Sequence, residues 1–104
     1  MNVSIVIPTY NRLPILEKCL FALENQKLNA NISNYEVIVV DDGSTDGTTS
    51  WINKNKANLP HVLLFNQEHA GPALGRNLGV IKSKYEIIIS VSYTHLTLPT
   101  IYSV

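Results

Sequence analysis

The chain has 104 residues, of which 45% are hydrophobic and 15% charged. This composition is typical of a globular domain or of part of one, and it excludes a disordered or fibrous chain. The formal net charge is zero, so no basic field favours binding to nucleic acid or to an anionic membrane. The single cysteine excludes an internal disulfide.

The sequence contains no membrane segment. No apolar stretch approaches the roughly 20 residues that span a bilayer. The first residues, MNVSIVIPTYNR, lack the basic start and the long apolar run of a signal peptide. We therefore expect a cytoplasmic protein, and a membrane anchor elsewhere in a longer parent protein is compatible with this expectation.

The first elements in chain order are a strand and a helix. Val3 to Ile7 is a nearly unbroken apolar run, typical of a strand buried on both faces, and Pro8 is expected to end it. Pro14 suits the first turn of a helix, where its missing N–H costs little. Leucines spaced along one face predict that this helix continues to about Gln26.

The same alternation repeats along the chain. It predicts strands over Tyr35–Val40, Val62–Phe65 and Tyr85–Ile89, and helices over about Thr48–Asn55 and from Gly71-Pro72 onward. The predicted order is β-α-β-α-β-α-β, an α/β fold with a parallel, Rossmann-like sheet covered on both faces. We expect the spatial strand order 3-2-1-4, with an open edge at the fourth strand.

Ligands in such sheets lie beyond the carboxyl ends of the strands. Directly after the first strand come Pro8, Thr9, Tyr10 and Asn11. Pro8 stiffens the exit from the strand, Thr9 offers a hydroxyl, and Tyr10 offers a ring on which a planar base could stack. The alternative is a plain strand-to-helix turn in which Asn11 acts as a cap.

Two adjacent carboxylates, Asp41 and Asp42, end the second predicted strand. Buried carboxylates are costly unless they are hydrogen-bonded or bound to a ligand. Successive strand residues point to opposite faces, so one aspartate can anchor the loop while the other faces the ligand and accepts, for example, a uracil imide N–H. The alternative is a turn and helix cap, since DGSTDG is strong turn chemistry.

The third candidate is the segment GPALGRNLG at 71–79, whose small residues allow close packing of a helix on the sheet. Arg76 offers a guanidinium fork suited to a diphosphate. An ion pair with Glu68 or Asp42 is the alternative role of Arg76, and His69 is interpreted as a loop residue.

Three segments together resemble family-2 glycosyltransferases: VSIVIPTYNR at 3–12, VIVVDDGSTDG at 37–47 and GPALGRNLG at 71–79. The resemblance implies half of a GT-A domain over residues 1–90 and a nucleotide-sugar donor, often UDP-linked, with transfer to an unknown acceptor by inversion. It implies that Pro8, Thr9 and Tyr10 shape the uridine pocket. It also implies that Asp42 contacts the base, that Asp41 is more structural, and that Arg76 lies near the donor.

One part of the family pattern is missing. The family places an Asp-x-Asp motif after the fourth strand, where it holds Mg²⁺ or Mn²⁺ on the leaving diphosphate. No Asp or Glu follows Glu86 here. Residues 91–104 instead resemble the translation of a sequencing adapter. We expect this tail to be foreign to the family and either to extend the fourth strand or to lie loosely on the sheet. We expect the chain alone to be inactive.

Two other function classes fit the sequence less well. A receiver-like, non-enzymatic α/β module also uses clustered aspartates, but it places them after the first strand, whereas here they follow the second. A nucleotidyltransferase would need a glycine-rich basic loop after the first strand, and residues 8–12 do not supply one. P-loop and dinucleotide-binding motifs are absent as well.

Overall fold

A computed structural model of the chain describes residues 2–25, 34–91 and 100–103. Strands and helices alternate through these residues as the sequence predicts, with a short 3-10 helix after α2 and an additional final strand. In chain order they are β1 Asn2–Thr9, α1 Leu13–Asn25, β2 Asn34–Asp41, α2 Thr48–Lys54, the 3-10 helix Lys56–Asn58, β3 Val62–Asn66, α3 Pro72–Lys82, β4 Ile87–Ser90 and β5 Thr100–Ser103.

The strands form one sheet in the order β3-β2-β1-β4-β5. β1 is central and pairs in parallel with β2, from Asn2 opposite Asn34 to Thr9 opposite Asp41. β1 also pairs in parallel with β4, and β2 with β3. The predicted parallel order 3-2-1-4 is therefore confirmed.

The edge of β4 differs from the prediction. β5 pairs antiparallel with β4, with Ile87 opposite Ser103 and Ser90 opposite Thr100. The prediction of an open edge at β4 is therefore wrong, because part of the tail occupies that edge as a separate strand. Whether residues 91–104 are foreign to the family stays a prediction.

Pro8 does not end β1, contrary to the sequence-based expectation. It lies within the strand, opposite Val40. The Thr9 carbonyl accepts a hydrogen bond from the β2 side, whereas the Val6 carbonyl accepts one from Val91 on the β4 side. Successive residues of β1 direct their backbone groups to β2 and to β4 in alternation, so the nitrogen of Pro8 faces the β4 side. It lies beyond Ser90, the last paired residue of β4, and its missing N–H therefore costs no hydrogen bond of the sheet.

The sheet is covered on both faces, and side chains alternate between them. One face packs on α1 and α2, in a core cluster made of Val3, Ile5, Ile7, Leu16, Leu20, Val37, Val39, Ile52, Leu59 and Val62. The other face carries the cluster Val6, Ile38, Val40 and Ile88, with Leu78 of α3 packed against it. Odd-numbered residues of β1 and β2 therefore face α1 and α2, and even-numbered residues face α3.

Two glycines bring α3 close to the sheet, as the sequence predicts. A Cβ atom on Gly79 would lie 2.2 Å from Val6 Cγ1, and one on Gly75 would lie 3.1 Å from Pro8 Cβ. The first distance leaves no room for a methyl group. Gly75 and Gly79 therefore set the position of α3, whose first turn lies at the carboxyl edge of the sheet.

No helix among residues 2–25 and 34–91 is long and apolar enough to cross a membrane. α1 extends from Leu13 to Asn25, and the predicted end at Gln26 lies outside the described residues.

Candidate functional site

The loops after β1 and β2 meet at one edge of the sheet. The backbone N–H of Asp42 donates to the Thr9 carbonyl at 2.9 Å. The backbone N–H of Asn11 donates to Ser44 Oγ at 2.9 Å, and the Thr45 N–H donates to Asn11 Oδ1 at 2.7 Å. The Pro-Thr-Tyr turn and the twin aspartates therefore share a rim, as the sequence predicts.

Asp41 anchors the turn that leads into α2. Its side chain is 2% exposed. Oδ1 accepts the Ser44 N–H at 3.0 Å, and Oδ2 accepts the Thr49 hydroxyl at 3.1 Å. Asp41 thus connects the end of β2 to the first turn of α2.

Asp42 is held by the loop that follows β3. It is 3% exposed. Oδ1 accepts Gln67 Nε2 and the Ala70 N–H, each at 2.7 Å. Oδ2 lies 3.0 Å from the donating Gly71 nitrogen and 2.8 Å from His69 Nδ1. Three hydrogen-bond donors and the imidazole of His69 therefore surround one carboxylate, and His69 Nδ1 also lies 3.3 Å from the backbone carbonyl oxygen of Asp42.

These contacts decide the charge of Asp42. Burial raises the pKa of its carboxyl, but hydrogen bonds from Ala70, Gln67 and Gly71 and the charge of His69 outweigh burial and leave the pKa lowered. Asp42 is therefore a fixed anion at neutral pH.

Tyr10 and His69 lie together on the solvent side of Asp42. Tyr10 is 42% exposed. Its ring centroid is 4.4 Å from that of His69, with an interplanar angle of 32°. Sequence reasoning missed His69 because it interpreted this histidine as a loop residue and did not assign the loop after the third strand to the rim of the aspartates. β3 is parallel to β2 and beside it, so the loop after β3 reaches the same rim.

The structure assigns Pro8 and Thr9 to different faces. Pro8 faces α3, on the same face of the sheet as the side chain of Val40. Thr9, being odd-numbered, faces α1 and α2 and is only 3% exposed. Within the described part of the chain, its hydroxyl has no hydrogen-bond partner. The Thr9 hydroxyl is therefore a buried polar group that a water or a ligand could satisfy.

Arg76 lies one residue after Gly75, in the second turn of α3, and its side chain is exposed. The ion pairs among residues 2–25 and 34–91 join His61 to Glu24 and His69 to Asp42, so the alternative ion pair of Arg76 is not formed. A contact between Arg76 and a diphosphate stays a prediction.

Asp46 connects two helices at the rim. It accepts the Leu13 N–H at the start of α1 at 3.0 Å, and the Thr48 hydroxyl at the start of α2 at 2.6 Å. Burial raises the pKa of Asp46, but the hydrogen bonds from Thr48 and Leu13 outweigh burial and lower it. Gly47, with φ 87°, is the N-cap residue of α2, so Asp46 acts from one position earlier.

A family model decides the relationship of the chain to known proteins. The model described as glycosyl transferase family 2 matches residues 4–91. The chain belongs to glycosyl transferase family 2. A poly(ribitol-phosphate) beta-glucosyltransferase of Bacillus spizizenii is 36% identical over 93 residues, which cover 88% of this chain and 14% of that protein.

Solved structures agree with the GT-A fold of this family-2 chain. S. aureus TarS 1-349 in complex with UDP-GlcNAc is similar with a TM-score of 0.76 and 29% identity, over 89% of this chain and 26% of that chain. A mannosyltransferase of Pyrobaculum calidifontis in complex with GDP-Man and Mn²⁺ has a TM-score of 0.69 and 31% identity, over 84% of this chain and 26% of that chain. The family-2 chain thus spans about a quarter or less of these relatives.

The described residues of this family-2 chain do not form a site for a divalent cation. Among residues 2–25 and 34–91, no three His, Cys, Asp or Glu side chains are grouped to hold a metal ion. The carboxylate oxygens of Asp41 and Asp42 already accept N–H and O–H donors, and β4 continues into Ser90 and Val91 rather than into an acidic pair.

Proposed function

We propose that this chain is the donor-nucleotide half of a family-2 glycosyltransferase. Its parent protein transfers a sugar from a nucleotide-sugar donor, UDP-linked, to an acceptor. One observation carries the proposal: the exposed ring of Tyr10 and the buried, ionised carboxylate of Asp42 lie at the same rim of the sheet. One group offers a surface for a planar base, and the other offers an acceptor for its N–H.

The chemistry of Asp42 selects among bases. An ionised carboxylate accepts the imide N–H of uracil, or the corresponding N–H of guanine. It repels cytosine, which presents a lone pair at that position. A site that accepts a hydrogen bond from its ligand rejects an analogue without that N–H group, because the buried acceptor then stays unpaired. Stacking on Tyr10 adds affinity but little selectivity, since every base has a π face.

The diphosphate end of the donor is completed outside this chain. We propose that Arg76 approaches the phosphates, because a guanidinium group pairs well with phosphate oxygens. The Mg²⁺ or Mn²⁺ expected for the family neutralises the leaving diphosphate when bound. Its carboxylate ligands have no counterpart among the described residues. The chain alone therefore binds nucleotide weakly and transfers no sugar.

The experiment is a titration of UDP, GDP and CDP into the purified chain, with and without Mn²⁺, followed by calorimetry or NMR. We expect weak UDP binding that Mn²⁺ does not strengthen, and no CDP binding. Tyr10→Ala should weaken UDP binding at least about fivefold, because stacking on an aromatic side chain contributes about 1–3 kcal/mol per base. Tyr85 precedes β4 and lies at the end of the sheet opposite the rim, so Tyr85→Ala is the matched control and should leave UDP binding unchanged.

Two results would contradict the proposal. Equal binding of UDP and CDP, or UDP binding that survives Tyr10→Ala unchanged, would remove the base pocket from this rim. Tight, metal-dependent UDP binding would show that the chain supplies its own cation ligands.

A further inference from the structure

The carboxylate of Asp42 has no acceptor site left for a base. An ionised carboxylate offers about four lone-pair positions. In the structure three hydrogen-bond donors, from Gln67, Ala70 and Gly71, occupy three of them, and His69 Nδ1 lies 2.8 Å from Oδ2 and blocks the remaining approach. A base that pairs with Asp42 must therefore displace one of these four groups.

His69 is the group that can leave at least cost. Ala70 and Gly71 donate through the backbone of the loop, so their departure would move the chain itself. Gln67 is anchored at a second point, since its Nε2 also donates to the Gly71 carbonyl at 3.4 Å. His69 Nδ1 also lies 3.3 Å from the backbone carbonyl oxygen of Asp42, but the side chain is 65% exposed and leaves both contacts together by rotation about its own bonds.

The same imidazole also covers the other element of the pocket. Its ring lies against Tyr10 at 4.4 Å while its Nδ1 lies 2.8 Å from Asp42 Oδ2. A planar, nitrogen-containing ring that packs on Tyr10 and places a nitrogen against the Asp42 carboxylate makes the two contacts expected of a bound uracil.

We propose that His69 occupies the place of the nucleobase when the protein carries no nucleotide, and that it leaves when the base binds. This inference rests on the proposed function. Base binding then exchanges one ring for another on the same two partners. The protein therefore binds the nucleotide-sugar less tightly than it would with an empty pocket, because binding must first break the contacts of His69. The exchange requires an N–H donor on the incoming base, which adds to the selection against cytosine.

The chain contains a matched control for this histidine. His61 also stacks on a tyrosine, Tyr35, at 4.0 Å, and its Nδ1 lies 3.0 Å from Glu24 Oε2. It directly precedes β3, so it lies at the opposite edge of the sheet from the rim. Removing either imidazole deletes the same kinds of contact, but only one removal clears the proposed pocket.

The experiment titrates uridine, UDP and inorganic pyrophosphate into the wild-type chain, His69→Ala and His61→Ala, with NMR detection of weak binding. His69→Ala should bind uridine and UDP about three- to tenfold more tightly, because the contact of a solvent-exposed imidazole with a carboxylate and one aromatic contact are each modest interactions. Pyrophosphate binding should stay unchanged, since it has no base. His61→Ala should bind all three ligands as the wild type does. In the wild type, uridine should shift the ring signals of His69 toward those of a solvent-exposed imidazole.

Three outcomes would overturn the inference. If the wild type binds uridine and His69→Ala binds it equally or more weakly, His69 is a wall of the pocket and not its occupant. If the His69 ring signals do not move on saturation with uridine, no exchange takes place. If neither protein binds uridine or UDP, the proposed function fails for this chain and the inference fails with it, which is a different pattern from the first.

Discussion

Replacing Asp42 by asparagine should destabilise the fold much more than the same replacement at Asp41. The two side chains are adjacent, equally buried and similar in chemistry. They differ in the number of donors around them, and in whether those donors can adapt to an amide. The pair of substitutions therefore isolates the hydrogen-bond network from burial.

The magnitude at Asp42 follows from its partners. An asparagine keeps one oxygen for two donors, but its NH₂ group then faces the backbone N–H of Gly71 or Ala70. A backbone N–H cannot reverse its role, so one part-buried donor loses its acceptor at a cost of about 1–3 kcal/mol. The other hydrogen bonds lose their charge assistance as well. We expect a total loss of about 2–4 kcal/mol in the free energy of unfolding, by adding these effects.

Asp41 has a more adaptable environment. One of its partners is the hydroxyl of Thr49, which lies 3.1 Å from both Asp41 Oδ2 and Asn66 Oδ1. A hydroxyl both donates and accepts, so it can accept from an asparagine at position 41 while donating to Asn66. The remaining oxygen keeps the Ser44 N–H. We expect a loss of about 1 kcal/mol or less, close to the net value of one hydrogen bond.

Urea unfolding measures both variants, followed by the fluorescence of Trp51, the chain's single tryptophan, and by circular dichroism. Similar midpoints for the two variants, or a larger loss for Asp41→Asn, would refute the reasoning. Either result would mean that the donors around Asp42 are not held in place by the rest of the fold.

Three further predictions use the same assay. The gap between wild type and Asp42→Asn should close in acid: the lowered pKa of Asp42 gives stability that is present above its ordinary value of 3.8 and lost as the pH falls through the folded-state pKa. A gap that does not narrow at any pH below 3.8 would contradict this. Gly79→Ala should cost about 1–2 kcal/mol net, because overpacking against Val6 outweighs a helix-propensity gain of about 1 kcal/mol. In a Val6→Ala background the same change should become neutral or stabilising, and an undiminished cost there would exclude the clash. Asp46→Ala should cost about 1–2 kcal/mol because α1 and α2 share its carboxylate, and Asp46→Asn should recover part of that; equal losses for both would argue against hydrogen bonding.

The parts of the fold that sequence alone predicted are those that depend on local pattern. β2 reads as a continuous apolar run because both of its faces are buried, so its place in a parallel sheet follows from composition. The need for small residues in α3 was likewise visible, and Gly79 meets Val6 at the closest approach. The prediction that Pro8 ends the strand was wrong for a different reason. A strand tolerates proline only where the proline nitrogen faces no hydrogen-bond partner, and this depends on the arrangement of the sheet and not on the residue.

The contacts of His69 do not follow from local sequence pattern, for a similar reason. Its contacts with Tyr10 and Asp42 join residues that are far apart in sequence, and they exist only because β3 lies beside β2. A signal was nevertheless available. A predicted strand order of 3-2-1-4 already places the carboxyl end of the third strand next to the twin aspartates. The predicted strand order alone therefore makes the loop after β3 a candidate part of the site.

The doubled acid at the end of β2 has a physical explanation in which anchoring and binding do not compete. Side chains alternate between the two faces of the sheet. The Asp41 carboxylate therefore hydrogen-bonds to Thr49 in the layer of α1 and α2, and the Asp42 carboxylate hydrogen-bonds to the loop before α3. A carboxylate held by backbone N–H groups is fixed in position and ionised before any ligand arrives. Such a group is also a good acceptor for a ligand, since it needs no reorganisation when a donor is exchanged. The sequence-based choice between a structural aspartate and a binding aspartate is therefore too narrow. Under the proposed function, the donors that make Asp42 structural also prepare it to bind a base, once His69 leaves.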